Sequence, residues 1–348
     1  MNEIIIEDLD FIISSGVNWN RFKNKTILIT GAGGMLLLYM ILAMLRINEL
    51  KPDFNLKVIA LVRNKNKIKN ILKDYAKSKK LKIYQHDLSS PIKLRDSVDF
   101  IVHGASYASP KYFRSDPVSV IIPNIIGTYY LLEFAKKQAI TSFLYISSGA
   151  VYGSTPIEFV GENNYGFLDP LNIINCYGES KRMAENMCSS WCHQFGVPVK
   201  MVRPAHIYGP TMNLETDNRV FASFIKSIIK KESVVIKSDG SAKRSFCYVA
   251  DATVALLKVM LDGASGEAYN VGNDNEYMSI KKLVKTMIAA LPEKHIKFKI
   301  LGKTGIGATK VKEEKMLMLS KKVENLGWKC AFSLRDGLKR TVKSYANL

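Results

Sequence analysis

The feature that most constrains the fold is an alternation of short β-branched runs with amphipathic segments along the N-terminal part of the chain. Helix-like segments lie around 35–48, 65–78, 116–138 and 176–193, and the runs between them are TILIT (26–30), KVIALV (57–62), LKIY (81–84), VDFIV (98–102), SFLYIS (142–147) and VPVKMVRP (197–204). Continuously apolar strands separated by helices are typical of a parallel sheet that is covered on both faces. We therefore predict an α/β fold with a Rossmann-type doubly wound sheet.

The alternation breaks down after Pro204, where loops, short helices and isolated strands follow. We predict a dinucleotide-binding Rossmann domain over residues 26–203, completed by parts of 246–275. A smaller C-terminal α/β substrate lobe over 204–348 would cover the carboxyl edge of the sheet, where open α/β folds bind ligands. Residues 1–25 form an N-terminal extension, for which one amphipathic helix is the expectation.

Composition indicates a cytoplasmic globular protein. The 348 residues, 47% of them hydrophobic, can bury a large core. The longest apolar run, residues 35–45, is shorter than the roughly 20 residues of a membrane span, so we expect a buried helix and no span. The acidic N-terminus lacks the basic region of a secretory leader. Five scattered cysteines without a CxxC pair predict reduced thiols and no metal site.

The net charge of +19 raises the question of nucleic-acid binding. The densest lysines, within residues 63–82, have the spacing of a solvated helix face, and the others are spread along the chain. Charge alone bears on solubility and association rather than on a specific site. We therefore expect no nucleic-acid partner, and an anionic small substrate accounts equally well for part of the charge.

A glycine turn follows the first predicted strand directly. Gly31, Gly33 and Gly34 lie in TILITGAGGML, and the next helix begins at Met35. Gly31 allows a tight turn, and Gly34 lets the backbone approach a pyrophosphate on the helix N-terminus. Leu37 stands where the fingerprint has its third glycine. Because that glycine serves helix–strand packing, we expect Leu37 to shift the helix slightly and to leave dinucleotide binding intact.

The ends of the second and third strands bear on the choice of cofactor. An acid after the second strand would bind the ribose diol of NAD, whereas an arginine can neutralise the 2′-phosphate of NADP. Arg63 stands there with no acid beside it, which tilts the expected NAD(P) cofactor slightly toward NADP(H). Asp87 follows the third strand and is a candidate partner of the adenine amino group.

Tyr177 and Lys181 lie four residues apart in NCYGESKRMAE and so share one helix face. A lysine ammonium near the phenol, with the positive charge of oxidised nicotinamide, is expected to lower the tyrosine pKa from about 10 toward the working pH. Tyr177 then serves as general base toward an alcohol and as general acid toward a ketone. Ser147 and Ser148 end the fifth strand, where a hydroxyl would orient the reacting oxygen.

Together these segments resemble the extended short-chain dehydrogenase/reductase family of nucleotide-sugar epimerases, dehydratases and decarboxylases, over residues 26–345. The motifs are TGAGGML, HDLSS, HGASYASP, NIIGT, SSGAVYG, YGESK, RPAHIYGP, KRSFCYVAD and LGW, and those around HGASYASP and YGESK look most like the decarboxylase branch. The resemblance implies NAD(P) in the N-terminal domain, a nucleoside-diphosphate sugar under the C-terminal lobe, and a homodimer through a four-helix bundle. It makes Ser148 the catalytic hydroxyl and adds Leu88 and Ala105 to the cofactor site.

The same resemblance suggests substrate-binding residues. Arg219 and Arg244 match arginines that grip the sugar-nucleotide phosphates, a role suited to the planar guanidinium fork. Asn124 matches an active-site asparagine. His206 departs from the pattern, because an asparagine commonly stands there and contacts the substrate. We expect His206 to be a neutral hydrogen-bonding substitute, with an extra acid–base group as the alternative.

The residues after Ser148 bear on the reaction. Members of this family begin by removing a hydride from a sugar carbon, usually carbon 4, and dehydratases and decarboxylases carry acidic residues after the catalytic hydroxyl. Gly149 and Ala150 occupy those positions here and cannot move a proton, which disfavours 4,6-dehydration and decarboxylation. We expect a 4-epimerase of a nucleoside-diphosphate hexose for surface-glycan precursors. The alternatives are an NAD(P)-dependent 4-keto-sugar reductase or 4-dehydrogenase and, outside enzymes, a non-catalytic dinucleotide-binding regulator.

Overall fold

The computed structural model describes residues 1–217, 219–302 and 315–345. The strands in these ranges are β1 (Thr26–Thr30), β2 (Lys57–Val62), β3 (Leu81–Gln85), β4 (Phe100–His103), β5 (Ser142–Ile146), β6 (Phe159–Val160), β7 (Val199–Pro204), β8 (His206–Tyr208), β9 (Val234–Ile236), β10 (Lys243–Tyr248), β11 (Ala268–Val271), β12 (Tyr277–Ser279), β13 (Phe298–Ile300) and β14 (Leu317–Met318). The helices are α1 (Glu3–Ser14), α2 (Met35–Leu50), α3 (Lys65–Ile71), α4 (Pro110–Ser115), α5 (Pro117–Gln138), α6 (Cys176–Phe195), α7 (Val220–Ile229), α8 (Val249–Asp262), α9 (Ile280–Ala290), α10 (Lys321–Glu324) and α11 (Leu334–Tyr345).

Seven strands form one parallel sheet in the order β11–β7–β5–β4–β1–β2–β3. Side chains of successive strand residues point to opposite faces. Ile27 and Ile29 of β1 therefore pack in the core that contains α2 and α8, and Leu28 packs in the core that contains α5 and α6. The predicted doubly wound α/β fold is confirmed, because both faces of the sheet are covered by helices.

The order of the strands places the ligand crevice. The chain runs outward from β1 through β2 to β3, then crosses to β4 and continues through β5 to β7 on the other side. The carboxyl ends of β1 and β4 therefore flank a topological switch point, which is where open α/β sheets bind ligands. The glycine turn that follows Thr30 lies at this crevice.

The C-terminal part of the chain contributes to the main sheet and also builds separate layers. β11 pairs in parallel with β7 at the edge of the main sheet. The strands outside the main sheet form a three-stranded sheet, β12–β10–β8, and two strand pairs, β13–β9 and β14–β6. Through β6 and β14, the segment at 317–318 returns to lie beside the loop that follows β5.

Two helices differ from their predicted lengths. The helix expected over 65–78 ends at Ile71 and continues as a 3-10 turn that buries Tyr75. The helix expected from residue 116 begins at Pro117, where the Asp116 side chain accepts a hydrogen bond from the Ser119 amide. By length and composition, this helix, α5, is the one described helix that could cross a membrane, but 44% of its apolar window is buried within the fold.

The N-terminal extension folds onto the Rossmann domain through α1. Its Asp8 is fully buried and accepts hydrogen bonds from the hydroxyls of Tyr39 on α2, at 2.9 Å, and Tyr248 on β10, at 2.7 Å. Arg340 of α11 pairs with the same carboxylate at 2.8 Å. Burial raises the pKa of Asp8, against the lowering effect of these donors. One aspartate thus joins four elements that are far apart in the sequence.

We expect Asp8→Ala to lower the free energy of unfolding by about 3 kcal/mol, because it leaves two buried hydroxyls and a guanidinium without their acceptor. Asp10→Ala is the matched control, since Asp10 lies on the same helix but is half-exposed and pairs with Arg46 at the surface. That change is expected to lower it by less than about 1 kcal/mol. Urea unfolding of both variants measures the difference, and equal losses would contradict this account of Asp8.

Candidate active site

The glycine turn shapes the floor of the crevice. Gly31 has a φ of +73°, and a Cβ there would lie 2.7 Å from the backbone of Gly104 and Ala105, so only glycine fits. Gly34 precedes the first residue of α2 and donates its amide to Gly31 O at 2.9 Å. A Cβ on Gly33 would meet no atom within 4 Å, so the turn is open toward the crevice. An open turn at the N-terminus of α2 suits an anionic group.

Leu37 is accommodated by a second glycine. Its side chain is buried, and a Cβ on Gly104 would lie 2.5 Å from Leu37 Cδ1. Gly104 directly follows β4, the strand beside β1. Leu37 therefore fills the space that a glycine at position 37 of α2 would leave open. The glycine needed for close packing stands instead at position 104, after β4. This pairing explains how α2 packs on the sheet with leucine at position 37.

Tyr177 and Lys181 lie on α6 beside the end of β5. Lys181 is buried, donates Nζ to Ile146 O at 2.7 Å, and lies 5.9 Å from the centroid of the Tyr177 ring. Burial lowers the pKa of Lys181 to about 7, against the charge of Glu185 one helical turn farther on. The predicted spacing thus places both side chains at the carboxyl edge of the sheet.

The pKa of Tyr177 in the protein alone depends first on burial. In the protein alone it is raised rather than lowered, because burial of the phenol outweighs the hydrogen bond with Ser148 and the positive charge of Arg219. Lys181 does not offset this burial, since its ammonium is directed to the Ile146 carbonyl. The protein therefore holds Tyr177 as the neutral phenol at pH 7.

The structure distinguishes the two serines after β5. Ser148 hydrogen-bonds with Tyr177, and its Oγ accepts from the Ala150 amide at 3.1 Å. Ser147 has the opposite placement: its hydroxyl is buried and has no hydrogen-bond partner among the described residues. Only Ser148 lies against the phenol, in agreement with the candidate that the motif alignment favours.

From the predicted role of Ser148 in orienting the reacting oxygen, we expect Ser148→Ala to lower kcat by about 10²-fold. Ser147→Ala is the control, with kcat expected to stay within about threefold of the unsubstituted protein, since that hydroxyl does not contact Tyr177. Steady-state turnover with circular dichroism of both variants checks the prediction. A larger loss for Ser147→Ala would reverse the assignment.

His103 connects the glycine turn to α5. His103 Nε2 lies 3.2 Å from Pro123 O, which can only accept, so Nε2 carries the proton and Thr30 Oγ1, which accepts from the Ala105 amide, donates to Nδ1 at 2.8 Å. Thr128 donates to Asn124 O at 2.5 Å and therefore accepts from His103 Nε2 at 3.1 Å. Each donor has an acceptor only when the ring is neutral and protonated at Nε2. Burial lowers the pKa of His103 to about 3, so the ring keeps this form at neutral pH.

The lowered pKa of His103 predicts how stability depends on pH. In the unfolded chain His103 titrates near its ordinary value of 6.5, so between pH 6.5 and about 3 the unfolded state binds more protons. The free energy of unfolding therefore decreases as pH falls through this window, by up to about 1.4 kcal/mol per pH unit from this residue. Urea unfolding at several pH values from 7 to 4 gives the free energy of unfolding as a function of pH. We expect this dependence to be shallower by the same amount in His103→Gln. An unchanged slope would contradict the assignment.

Three candidate substrate residues lie within electrostatic reach of one another. The side chain of His206 on β8 is exposed at the surface. Desolvation by the surrounding protein, with the positive charges of Arg244 and Arg219, lowers its pKa to about 3, so this imidazole is neutral at pH 7. Arg219 is half-exposed and pairs with Asp217 at 2.6 Å. Arg244, on β10, donates to Lys243 O at 2.8 Å. The charge of Arg219 also contributes to the pKa of Tyr177, so the phenol belongs to the same group of interacting side chains.

Asn124 lies beside the helix that carries Tyr177. Its side chain is fully buried on α5. Its Nδ2 donates to Ser180 Oγ at 2.9 Å, and Ser180 in turn donates to the Tyr177 carbonyl at 3.0 Å. Asn124 therefore holds the first turn of α6, and its part in substrate binding stays a prediction.

The expected cofactor residues surround the crevice. Asp87 is exposed after β3, where the Ser89 amide, followed by the charge of Arg63, lowers its pKa. Leu88 is buried against Gly127 of α5, and Ala105 donates its amide to Thr30. Arg63 is exposed, and its guanidinium lies 4.6 Å from the centroid of the Tyr107 ring.

Two residues at the site carry no signal in the sequence. Phe113 of α4 stacks on the Tyr177 ring, with centroids 5.0 Å apart and planes 11° apart. Met318 of β14 covers Gly149, where an added Cβ would lie 2.4 Å from the Met318 sulfur. Both come from segments distant from Ser148 and Tyr177 in the sequence, so no spacing pattern predicts them. Within the described ranges, no group of His, Cys, Asp and Glu side chains has a metal-binding arrangement.

Comparisons with known proteins agree with this geometry. The profile of the NAD dependent epimerase/dehydratase family matches residues 27–272. UDP-glucuronic acid decarboxylase 6 of Arabidopsis thaliana is 30% identical over 316 residues, which cover 91% of this chain and 87% of that protein. The UDP-glucuronic acid 4-epimerase of Bacillus cereus, solved with NAD and UDP-glucuronic acid, superposes with a TM-score of 0.75 at 23% identity, covering 92% and 98% of the two chains. The dTDP-glucose 4,6-dehydratase of Bacillus anthracis, solved with NAD, gives 0.74 at 22% identity, covering 93% and 97%.

The profile spans the sheet, the glycine turn and the segment that holds Ser148, Tyr177 and Lys181. The relatives are enzymes, and the family is NAD-dependent, in agreement with the expected dinucleotide cofactor. The chain belongs to the NAD-dependent epimerase/dehydratase family of nucleotide-sugar enzymes, within the extended short-chain dehydrogenases/reductases.

Proposed function

We propose that this enzyme is a 4-epimerase of a nucleoside-diphosphate sugar. The observation that carries the proposal is the apolar surface beside Ser148. Gly149 and Ala150 have no titratable group, and the Met318 side chain fills the space over Gly149. Elimination and decarboxylation change bonds beyond carbon 4, and removal or delivery of a proton at carbon 5 needs an acid or base nearby. Oxidation and reduction at a single carbon need only Ser148, Tyr177 and Lys181.

The residues at the crevice fit a dinucleotide. The open turn at Gly33 and the N-terminus of α2 suit the pyrophosphate, and Asp87 suits the adenosine end. A bound oxidised nicotinamide would supply a hydride acceptor and a positive charge. Such a charge lowers the pKa of Tyr177, which the protein alone raises. We propose NAD as the cofactor, because the guanidinium of Arg63 is already engaged by Tyr107.

In the proposed reaction, Tyr177 takes the proton of the sugar 4-hydroxyl while hydride leaves carbon 4. Ser148 hydrogen-bonds to the same oxygen and fixes its position. Lys181, with Nζ 5.9 Å from the centroid of the Tyr177 ring, would favour the ionised phenol once its ammonium turns from the Ile146 carbonyl toward the phenolate. After the keto-sugar turns over in the cleft, hydride returns to its other face and Tyr177 gives the proton back. Neither proton nor hydride is lost to solvent, so the cycle needs no second substrate.

The cleft supports a uridine diphosphate sugar as the substrate. Arg219 and Arg244 offer guanidinium groups to the diphosphate, and a neutral His206 offers a hydrogen bond to the sugar. Several relatives and structural neighbours are named for UDP-sugars, among them the UDP-glucuronic acid 4-epimerase. We therefore place UDP-hexoses and UDP-glucuronic acid first among the substrates to test.

We also propose a homodimer through α5 and α6. Exposed apolar side chains lie along the two packed helices, at Val118, Ile121 and Tyr129 on α5 and Met183 on α6. Two such pairs, one from each copy, would form a four-helix bundle. Light scattering should give twice the chain mass of 39.1 kDa, and Ile121→Arg should reduce it to that of one chain.

The test is proton NMR of the purified protein in D2O, with UDP-glucose, UDP-N-acetylglucosamine and UDP-glucuronic acid and no added cofactor. Inversion at carbon 4 without deuterium at carbon 5 supports the 4-epimerase. Formation of a UDP-pentose with deuterium at carbon 5 would establish decarboxylation instead, the activity in the relatives' names. Turnover only with added NAD(P)H and a 4-keto sugar would establish a reductase.

A further inference from the structure

Arg63 and Tyr107 lie on opposite sides of the ligand crevice. Arg63 directly follows β2, and Tyr107 lies in the loop after β4. The two strands flank β1 in the sheet, and the glycine turn follows β1. A contact between Arg63 and Tyr107 therefore spans the carboxyl end of β1, the end from which the glycine turn leads into α2.

The contact between the two side chains has two components. The Arg63 guanidinium lies over the Tyr107 ring, 4.6 Å from its centroid, and its Nη2 donates to the Tyr107 hydroxyl. The Tyr107 ring also packs on Tyr112 of α4, with centroids 4.7 Å apart, so the loop side is supported by a helix. Cation–π contact and hydrogen bond together give this pair one preferred geometry.

We propose that Arg63 and Tyr107 form a strap that closes over the pyrophosphate of the bound dinucleotide and slows its release. The inference rests on the proposed function, because an epimerase returns the hydride it has taken and must retain its cofactor between the two transfers. The positive charge of Arg63 suits a pyrophosphate at the glycine turn, and it also contributes to the lowered pKa of Asp87 after β3.

The strap and a role as a 2′-phosphate ligand make opposite demands on Arg63. A ligand of the NADP 2′-phosphate has to face the adenosine ribose, whereas Arg63 faces a ring in the loop after β4. As a 2′-phosphate ligand Arg63 would act without Tyr107, whereas the strap needs both side chains. The effects of Arg63 and Tyr107 substitutions on NADH and NADPH therefore separate the two.

The experiment measures the rate at which bound NADH leaves when excess NAD is mixed with the complex, followed by nicotinamide fluorescence. Arg63→Ala and Tyr107→Ala should each speed release about tenfold, and the double variant should exceed neither by more than about twofold, because both break one contact. Tyr107→Phe, which keeps the ring, should give an intermediate rate. Lys65→Ala is the matched control, since it removes the same charge from an exposed position two residues away and should leave the rate unchanged.

Two results would overturn the strap. One is release of NADH at the unsubstituted rate from both alanine variants. The other is weaker binding of NADPH alone in Arg63→Ala with no effect of Tyr107→Ala, which would make Arg63 a 2′-phosphate ligand. Because only the dinucleotide is measured, this outcome is independent of the sugar panel. If NADH leaves the unsubstituted protein rapidly while a UDP-sugar is epimerised in the NMR test, the strap alone is rejected. If NADH leaves slowly and no UDP-sugar is epimerised, the 4-epimerase alone is rejected.

Discussion

Tyr177→Phe is expected to lower kcat by about 10³-fold, because in the proposed reaction the phenol exchanges a proton with the sugar oxygen. The ring and its stacking on Phe113 are kept, so the fold and the affinity for NAD should change little. Turnover is measured on the sugar that the NMR panel identifies, and NAD affinity by equilibrium titration. Tyr112→Phe, on α4 near the same crevice, is the control and should retain activity.

The same variant separates an enzyme from a non-catalytic regulator on this fold. A regulator needs the dinucleotide but no proton transfer, so it would be indifferent to loss of one hydroxyl. Full turnover by Tyr177→Phe would remove this residue from the mechanism. Loss of turnover together with loss of NAD would show that the phenol supports cofactor binding instead of chemistry.

Gly104→Leu is expected to lower the free energy of unfolding by about 3 kcal/mol and to weaken NAD binding, because the new side chain overlaps Leu37 and Ile146. The same backbone adjoins Gly31, so movement there distorts the phosphate turn. Leu37→Gly is expected to cost about 4 kcal/mol through the cavity it leaves and the glycine it adds to α2. Urea unfolding and NAD titration measure both effects.

Combining the two changes moves the leucine from helix to strand end while keeping the volume. We expect the double variant to come within about 1.5 kcal/mol of the unsubstituted protein, which requires a large coupling energy. Gly104→Leu with Leu38→Gly is the control, because Leu38 is buried in the same helix but is not among the nearest neighbours of Gly104. In this control pair, the two decreases in the free energy of unfolding should add. Additive losses in both pairs would show that Leu37 and Gly104 do not compensate each other.

The sequence by itself determined the doubly wound sheet and the candidate groups of the site. Strands with a continuous apolar run need cover on both faces, and the helices between them supply it. Tyr177 and Lys181 share a face because helical geometry relates residues four apart. Gly31 could be predicted because only glycine adopts its turn next to a crossing backbone. Each of these inferences depends on residues that are close together in the chain.

Other features depended on contacts between distant segments. The raised pKa of Tyr177 follows from burial, which no four-residue spacing records. Asn124 donates to Ser180, a contact between α5 and α6 that its motif does not predict. The sequence left the purpose of residues 1–25 open, and Asp8 reaches three partners from three other elements.

At the site itself, local spacing and tertiary packing determined different features. Local spacing determined which groups exist there: a glycine turn, two serines, a tyrosine and a lysine. Tertiary structure alone decided which space remains around them, because it brings Leu37 against Gly104, Met318 over Gly149 and Arg63 against Tyr107. Close packing makes each of these pairs depend on the exact placement of two strands or loops, and side-chain volume carries no periodicity along a sequence.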